Sequence, residues 1–489
     1  MKKNMMLVGV IAIIFLINVT ALLMANPMAI PSAGAPNTRE NYGWWARSYG
    51  LKNNDSAYAI SDTSDGGYIA AGYINSTTDS GYDNGHVEII KLNSDGTVEW
   101  EKTYAGDGDE AAYYVQEVNG SYIVSGTTSS FGSSYTDIWI LKLAQDGTVI
   151  WEKRYGGQYG ENGYKILPTS DGGFIIGGDT LSYGAGNGDL WLIKINDTGS
   201  IEWQKVYGGP SYDYFKNLII TSDGGYLLMG ITQSFGAGGF DIWLIKLDSS
   251  GNVAWQKVYG GTAYDYGKRI IETADGYMIL GHTNTPGNFD LWVLKIDTNG
   301  NLVWQKTYGG DGTELSYDMA AVGNGYILMG FTTSWGAGGY DVWLVAINNT
   351  GAIEWQRAYG STQKEIGFSL LAIQNDGLVV AGETESFGSG YTDIWVLKTN
   401  TTGYIEFNLE PSAKMTNTSG TISSFNPSTS DTSASVKDTT AEEHITTATV
   451  KNSQLNIATQ SEPVTVPELG YIIIIVAALA LVMQRAIKS

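Results

Sequence analysis

One pattern recurs about every 51 residues between positions 42 and 409, and it limits this chain to folds built from copies of a single unit. The clearest copy runs Asp241-Ile242-Trp243-Leu244-Ile245-Lys246-Leu247 and then Gly251-Asn252-Val253-Ala254-Trp255-Gln256-Lys257-Val258-Tyr259-Gly260-Gly261. The first motif returns around Trp139, Trp191, Trp292, Trp343 and Trp395, and the first repeat departs from it, with His86 in the Asp slot and Glu88 in the Trp slot. The second returns around Trp45, Trp100, Trp151, Trp203, Trp304 and Trp355. A third, of Asp-Gly-Gly-Tyr type, sits at Asp65, Asp171 and Asp223, with looser copies at Asn119, Asp275, Asn324 and Asp376. This makes seven repeats.

Each repeat divides into four strand-sized runs between Gly-rich turns. In one repeat, runs A to D are Tyr214 to Thr221, Tyr226 to Thr232, Phe240 to Leu247 and Asn252 to Tyr259. Runs B and C are almost continuously apolar, as strands covered on both faces are. No run has helical length and period. Four antiparallel strands packed on both sides and repeated seven times predict an all-β, seven-bladed β-propeller. A β-solenoid is the alternative, though its coils are usually shorter and less rich in Trp. Two segments compete to complete the last blade: Trp44 to Gly50 at the start and Tyr404 to Leu409 at the end, where Phe407 replaces Trp.

The stretch Lys246 to Trp255 is similar to the Gly-to-Trp docking motif of quinoprotein-type propellers. That resemblance implies a Trp wedged between adjacent blades. The whole repeat also resembles propeller-like repeat proteins exported by bacteria and archaea, over about three quarters of the chain. It implies architecture and says little about activity.

The ends suggest export. Lys2 and Lys3 precede an apolar run from Met5 to Ala25, and Ala33-Gly34-Ala35 is a cleavage candidate, so 1–35 reads as a signal peptide or N-terminal anchor and 36–41 as a linker. Residues 410–466 are rich in Ser and Thr and nearly free of aromatics, the composition of a disordered, O-glycosylated stalk. Residues 467–489 begin Pro467-Glu468-Leu469-Gly470, continue as an apolar run from Tyr471 to Met483, and end with Arg485 and Lys488. They read as a membrane anchor, and the order resembles archaeosortase-type sorting signals of archaeal surface proteins.

Composition removes several function classes. With 28 basic and 50 acidic residues the formal charge is −22, which argues against a nucleic-acid partner. The absence of Cys excludes disulfides, Cys-ligated metals and thiol nucleophiles. Three His residues (His86, His282 and His444) fall in no catalytic motif. Arg154, Arg269 and Arg357 do not suggest the arginine cluster of sialidase-like propellers.

Candidate sites lie in the repeats. A carboxylate follows each repeated Tyr by six residues: Asp55, Glu110, Glu161, Asp213, Asp265, Glu314 and Glu365. Entering strand A, nearest the axis, these acids should form a ring near the channel mouth. They are either a cation site, with calcium the candidate, or structural acids that accept backbone N–H bonds or pair with Arg47, Lys102, Lys153, Lys205, Lys257, Lys306 and Arg357. An aromatic precedes Gly in five B-to-C loops: Phe131, Tyr183, Phe235, Trp335 and Phe387. Beside carboxylates, such rings suit sugar stacking, Trp335 above all; alternatively each plugs a gap between blades. Glycosylation sequons occur at Asn54, Asn75, Asn119, Asn196, Asn348, Asn400 and Asn417. The near-equivalence of the repeats and the lack of a catalytic motif point to a non-enzymatic surface module, with no cofactor beyond a possible calcium, that binds carbohydrate or surface proteins. A polysaccharide hydrolase using ring carboxylates and a purely structural envelope protein are the alternatives.

Overall fold

The computed structural model describes residues 44–405, apart from 51–53, 78–82, 131–134, 285–286, 375 and 389–390, together with segments 414–417, 421–423, 449–451 and 456–459. The signal, linker and C-terminal anchor readings lie outside the described residues. Among the described residues no helix is long and apolar enough to cross a membrane.

Residues 45–399 form seven four-stranded antiparallel sheets, the blades of a β-propeller. Blades 1 to 6 occupy residues 55–105, 110–155, 161–207, 213–260, 265–309 and 314–359, each running A-B-C-D in chain order. The strands of blade 4 are Asp213–Ile220, Tyr226–Thr232, Asp241–Leu247 and Val253–Gly260, within a residue of the boundaries expected from the turns. Blade 7 takes three strands from residues 365–399, and its fourth is Trp45–Gly50, paired antiparallel with Asp393–Thr399. The N-terminal strand therefore closes the ring, and the choice between the two candidate strands is settled by this pairing.

Strands B and C of blade 4 are buried along their whole length because a neighbouring blade covers each face. One core cluster shows the arrangement: Leu227, Met229, Ile242 and Leu244 of blade 4 meet Tyr277, Ile279, Trp292 and Leu294 of blade 5. The C-strand indoles Trp139, Trp191, Trp243, Trp343 and Trp395 are each at most 1% exposed. An indole removes roughly 200 Å² from water, a gross gain of about 5 kcal/mol before entropy is counted.

Adjacent blades are also joined by a polar contact made seven times. The D-strand tyrosine of each blade donates its hydroxyl to the carbonyl of a glycine in the next blade's C-to-D turn. Tyr207 reaches Gly251 at 2.7 Å and Tyr259 reaches Gly300 at 2.6 Å. Tyr49, on the closing strand, reaches Gly96 at 2.7 Å, so the contact runs round the ring. The D-strand Trp lies against the same turn: Trp100 donates to the Gln145 carbonyl and Trp255 to that of Thr298. Gly251 is required there twice over. Its φ is +77°, and a Cβ would stand 3.1 Å from the Trp203 ring.

The Asp-Gly-Gly-Tyr motif is an A-to-B turn. Asp223 accepts from the Gly225 N–H and the Thr221 hydroxyl, and pairs with the buried strand-C Lys246 at 2.8 Å. Lys194 and Asp171 repeat the pair at 2.9 Å. The described parts of the Ser- and Thr-rich stretch, expected to lack order, are short strands. Lys414–Asn417, Thr421–Ser423, Thr449–Lys451 and Asn456–Thr459 pair with the outer edges of blades 5, 4, 1 and 7, where a D strand offers unpaired backbone groups.

Replacing Tyr259 by Phe deletes one of the seven inter-blade hydrogen bonds and leaves the Gly300 carbonyl without that donor. The expected loss is about 1–2 kcal/mol, read as a lower urea midpoint with an unchanged m-value.

Candidate functional site

The A strands line the axis. They are Asp55–Asp62, Glu110–Val118, Glu161–Pro168, Asp213–Ile220, Asp265–Thr273, Glu314–Val322 and Glu365–Ile373. Every one carries a β-bulge against strand B at the same place, three residues after its acid. The bulge brings strand A close to a strand-B glycine. A Cβ on Gly281 would lie 2.2 Å from the Tyr266 carbonyl oxygen, and Gly126, Gly330 and Gly382 are confined in the same way.

A bulge breaks the two-residue alternation, so two successive side chains reach the same face. Here that face is a central cavity of about 360 Å³. The seven bulge residues are Tyr58, Tyr113, Tyr164, Lys216, Lys268, Tyr317 and Phe368, and all line it. Residues next to them, including Tyr114, Lys165, Asn217, Arg269 and Asp318, complete the wall. The docking and turn residues largely recur from repeat to repeat, His86 and Glu88 of blade 1 apart, whereas the bulge carries Tyr in four blades, Lys in two and Phe in one.

The wall has two sides. Aromatic contacts run from Tyr317 to Phe368 (5.1 Å between centroids), to Tyr58 (5.2 Å), to Tyr113 (5.5 Å) and to Tyr164 (5.2 Å). Lys165, Lys216, Lys268 and Arg269 come from blades 3, 4 and 5. Burial, then the Arg269 charge, pushes the Lys165 ammonium well below the usual lysine range. Burial and the neighbouring Lys216 bring Lys268 down to about 8. Arg269 stands 3.0 Å from Asp318. Asp179, behind Lys216, is raised by burial to about 7 although Lys216 and the Phe215 N–H act against that rise. His282 is buried, bonded to the Ser316 hydroxyl at 3.0 Å, and held neutral by burial and by Lys268 and Lys216.

The seven predicted ring acids do not line this cavity. All seven are at most 3% exposed. Glu314 accepts from the Gly310 N–H and from the Thr332 and Ser334 hydroxyls, and so ties the D-to-A turn to the B-to-C loop. Glu110, Glu161 and Glu365 make corresponding bonds, and Asp213 and Asp265 accept from Gly209 and Gly261. The repeated bases point to the next blade: Lys205 reaches Asn252, Lys257 reaches Asn301 and Arg357 reaches the Thr402 carbonyl. Among the described residues no three His, Asp or Glu side chains converge to hold a metal ion.

The acids do meet a second carboxyl. The Asp that opens strand C faces the ring acid of the next blade across a glycine at the end of strand D. A Cβ on Gly360 would stand 2.3 Å from Asp341 and 2.6 Å from Glu365, and Gly260 stands likewise under Asp241 and Asp265. Burial, with the second carboxyl adding to it, raises Asp241 and Asp341 to about 7 and Asp189 and Asp290 to about 6. Asp137 also rises to about 7 through burial, although its partner Arg154, 2.9 Å away, opposes the shift. One oxygen of each of Asp137, Asp189 and Asp241 is buried without a hydrogen-bond partner, which a proton shared within each pair would satisfy. In blade 1 Glu88 fills the Trp slot, fully buried; burial, then Glu101 and Asp55, drives its carboxyl far above the usual range.

The predicted aromatics sit over the blades. Tyr183, Phe235, Trp335 and Phe387 are half-buried against Trp191, Trp243, Trp343 and Trp395, with Trp335 4.9 Å from Trp343. Phe131 lies outside the described residues. The exposed rings on that face are instead Tyr135, Tyr159, Tyr212, Tyr264, Tyr340 and Tyr391, the last 81% exposed. Of the sequons, Asn196, Asn348 and Asn400 occupy C-to-D turns and accept hydrogen bonds from their own turns. Asn54 and Asn119 are exposed, Asn75 is half-buried on a strand and Asn417 lies on an edge strand.

No protein-family model and no curated protein matches the sequence. Solved structures similar in fold include a puromycin hydrolase (10% identity over 68% of this chain and 50% of that one, TM-score 0.45). A polysaccharide lyase matches at 9% identity over 73% of this chain and 98% of that one, TM-score 0.46. An apocarotenoid oxygenase from Synechocystis matches at 11% over 77% and 96%, TM-score 0.37. The chain spans about half the length of the puromycin hydrolase.

Two outcomes follow. A carboxyl with a raised folded pKa contributes stability below about pH 4 that is lost as the pH rises through about 6 to 7. Asp223 works the other way: bonded first to Lys246, it is lowered to about 2, and its contribution is lost only as the pH falls from about 4 towards 2. The melting temperature should therefore rise when the buffer is taken from about pH 8 to about pH 5, and Asp241→Asn should flatten part of that slope. Second, Trp335→Ala should cost about 2 kcal/mol in denaturant titration, because the ring packs on Trp343.

Proposed function

We propose that the chain is a non-enzymatic binding module displayed outside the cell, tethered to the membrane by its C-terminal segment, and that its ligand enters the central channel. The observation that carries this reading is the loss of equivalence at the channel. Docking tryptophans, tyrosines, turn glycines and ring acids recur because each blade interface makes the same demand. The fold makes no such demand for two lysines among aromatics at the bulge, and a recognition surface does. The exposed tyrosines offer amphipathic contact area on the D-to-A and B-to-C face, suited to carbohydrate or to a surface protein. The ring carboxylates are engaged by loop N–H and hydroxyl groups, which leaves them poorly disposed to cleave a glycosidic bond.

A glycan and cell-wall array probed with the full-length protein in mild detergent, with and without calcium, tests the reading. Binding to a defined set of ligands is expected, weakened by Tyr113→Ala and Phe368→Ala in the channel. An empty array with folded protein would remove the binding role and leave a structural part of the envelope.

A further inference from the structure

The channel cations stand out against a chain of net charge −22. Lys165, Lys216, Lys268 and Arg269 come from three successive blades and face one cavity. The carboxylate on the same wall, Asp318, is already engaged. It accepts from the Met319 and Leu370 N–H groups, each at 2.8 Å, and faces Arg269 at 3.0 Å. Lys165 reaches the Asn217 amide oxygen at 3.4 Å. The Lys216 and Lys268 ammoniums have neither an ion pair nor a hydrogen bond among the described residues; their contacts are with the Tyr214 and Tyr317 rings, at 5.9 and 5.1 Å. Lys216 opposes the Lys268 charge; burial lowers Lys216 itself, and the nearby Asp179 only partly offsets that. Two like charges held together at a cavity wall, with their donors uncommitted, are an arrangement that an anion between them would stabilise.

The opposite wall limits the rest of the ligand. Phe368, Tyr58 and Tyr113 form a continuous aromatic surface. Such rings take the C–H face of a saccharide. About 360 Å³ is near the lower end of small-molecule sites, room for one or two sugar residues.

We infer that the central channel binds an acidic saccharide, its carboxylate or sulfate between Lys216 and Lys268 and its ring against the aromatic wall. This rests on the reading of the chain as a binding module and adds the ligand class to it.

The test is isothermal titration of the full-length protein in detergent with a galacturonic acid trisaccharide, the neutral galactose trisaccharide, and sodium sulfate. The expected result is binding of the uronate, weaker binding of sulfate, and none of the neutral sugar. Removing one charged contact should raise Kd by about tenfold or more. Lys216→Met and Lys268→Met should each do so, with the melting temperature retained, and added salt should weaken the binding. Neutral sugar bound as tightly as uronate, or Met variants with unchanged affinity, would overturn the acidic ligand while leaving a binding module. Sulfate bound as tightly as the uronate would overturn the saccharide and leave an inorganic anion site. If no probe binds to folded protein, the acidic saccharide falls, and binding elsewhere on the array decides whether the module reading survives.

Discussion

A tyrosine hydroxyl on the last strand of each blade reaches a turn carbonyl of the next, and the ring is held by seven such contacts. The hydrogen bond alone is a modest interaction. Its weight comes from what must be in place for it to form: a glycine at positive φ, an indole lying against that glycine, and a neighbouring blade at a set distance. No blade is stable by itself, because its B and C strands expose apolar residues on both faces until two neighbours cover them. Closure by Trp45–Gly50 supplies the last neighbour, so the first and last parts of the propeller sequence fold into one sheet.

The same economy explains the buried acids. Loops between blades carry backbone N–H groups with no strand partner, and a carboxylate with a threonine and a serine satisfies several of them at once. Placing a second carboxyl beside it would be costly if both were ionised, and burial removes the water that would screen them. A shared proton resolves the conflict and links the rigidity of that face to pH. Loops tied down in this way hold the exposed tyrosines in defined positions.

The channel follows a different rule. A bulge in each A strand frees one side chain from the blade's packing and turns it to the axis. Nothing in the docking contacts restricts what that side chain is, so Tyr, Lys and Phe are all accommodated. Neighbouring aromatics pack on one another and confine the cations to one side, which gives a round channel a direction.

Much of this was legible in the repeat. Its period and its paired tryptophans specify four strands per unit and seven units, because strands apolar on both faces need neighbours on both sides. The acids could be placed at the start of strand A, and their burial with local N–H and hydroxyl partners was one of two readings left open. The channel residues were not legible: Lys216 and Tyr113 occupy equivalent positions but look like unrelated members of variable runs, and strict alternation would send only one of two successive residues inward. Nor could the sequence choose the strand that closes the ring, since Trp44 to Gly50 and Tyr404 to Leu409 carry similar patterns. Sequence alone determined the blade, its number and its docking chemistry, which depend on local pattern. Tertiary structure decided closure, the carboxyl pairs and the channel wall, which depend on which residues seven separate segments bring to one place.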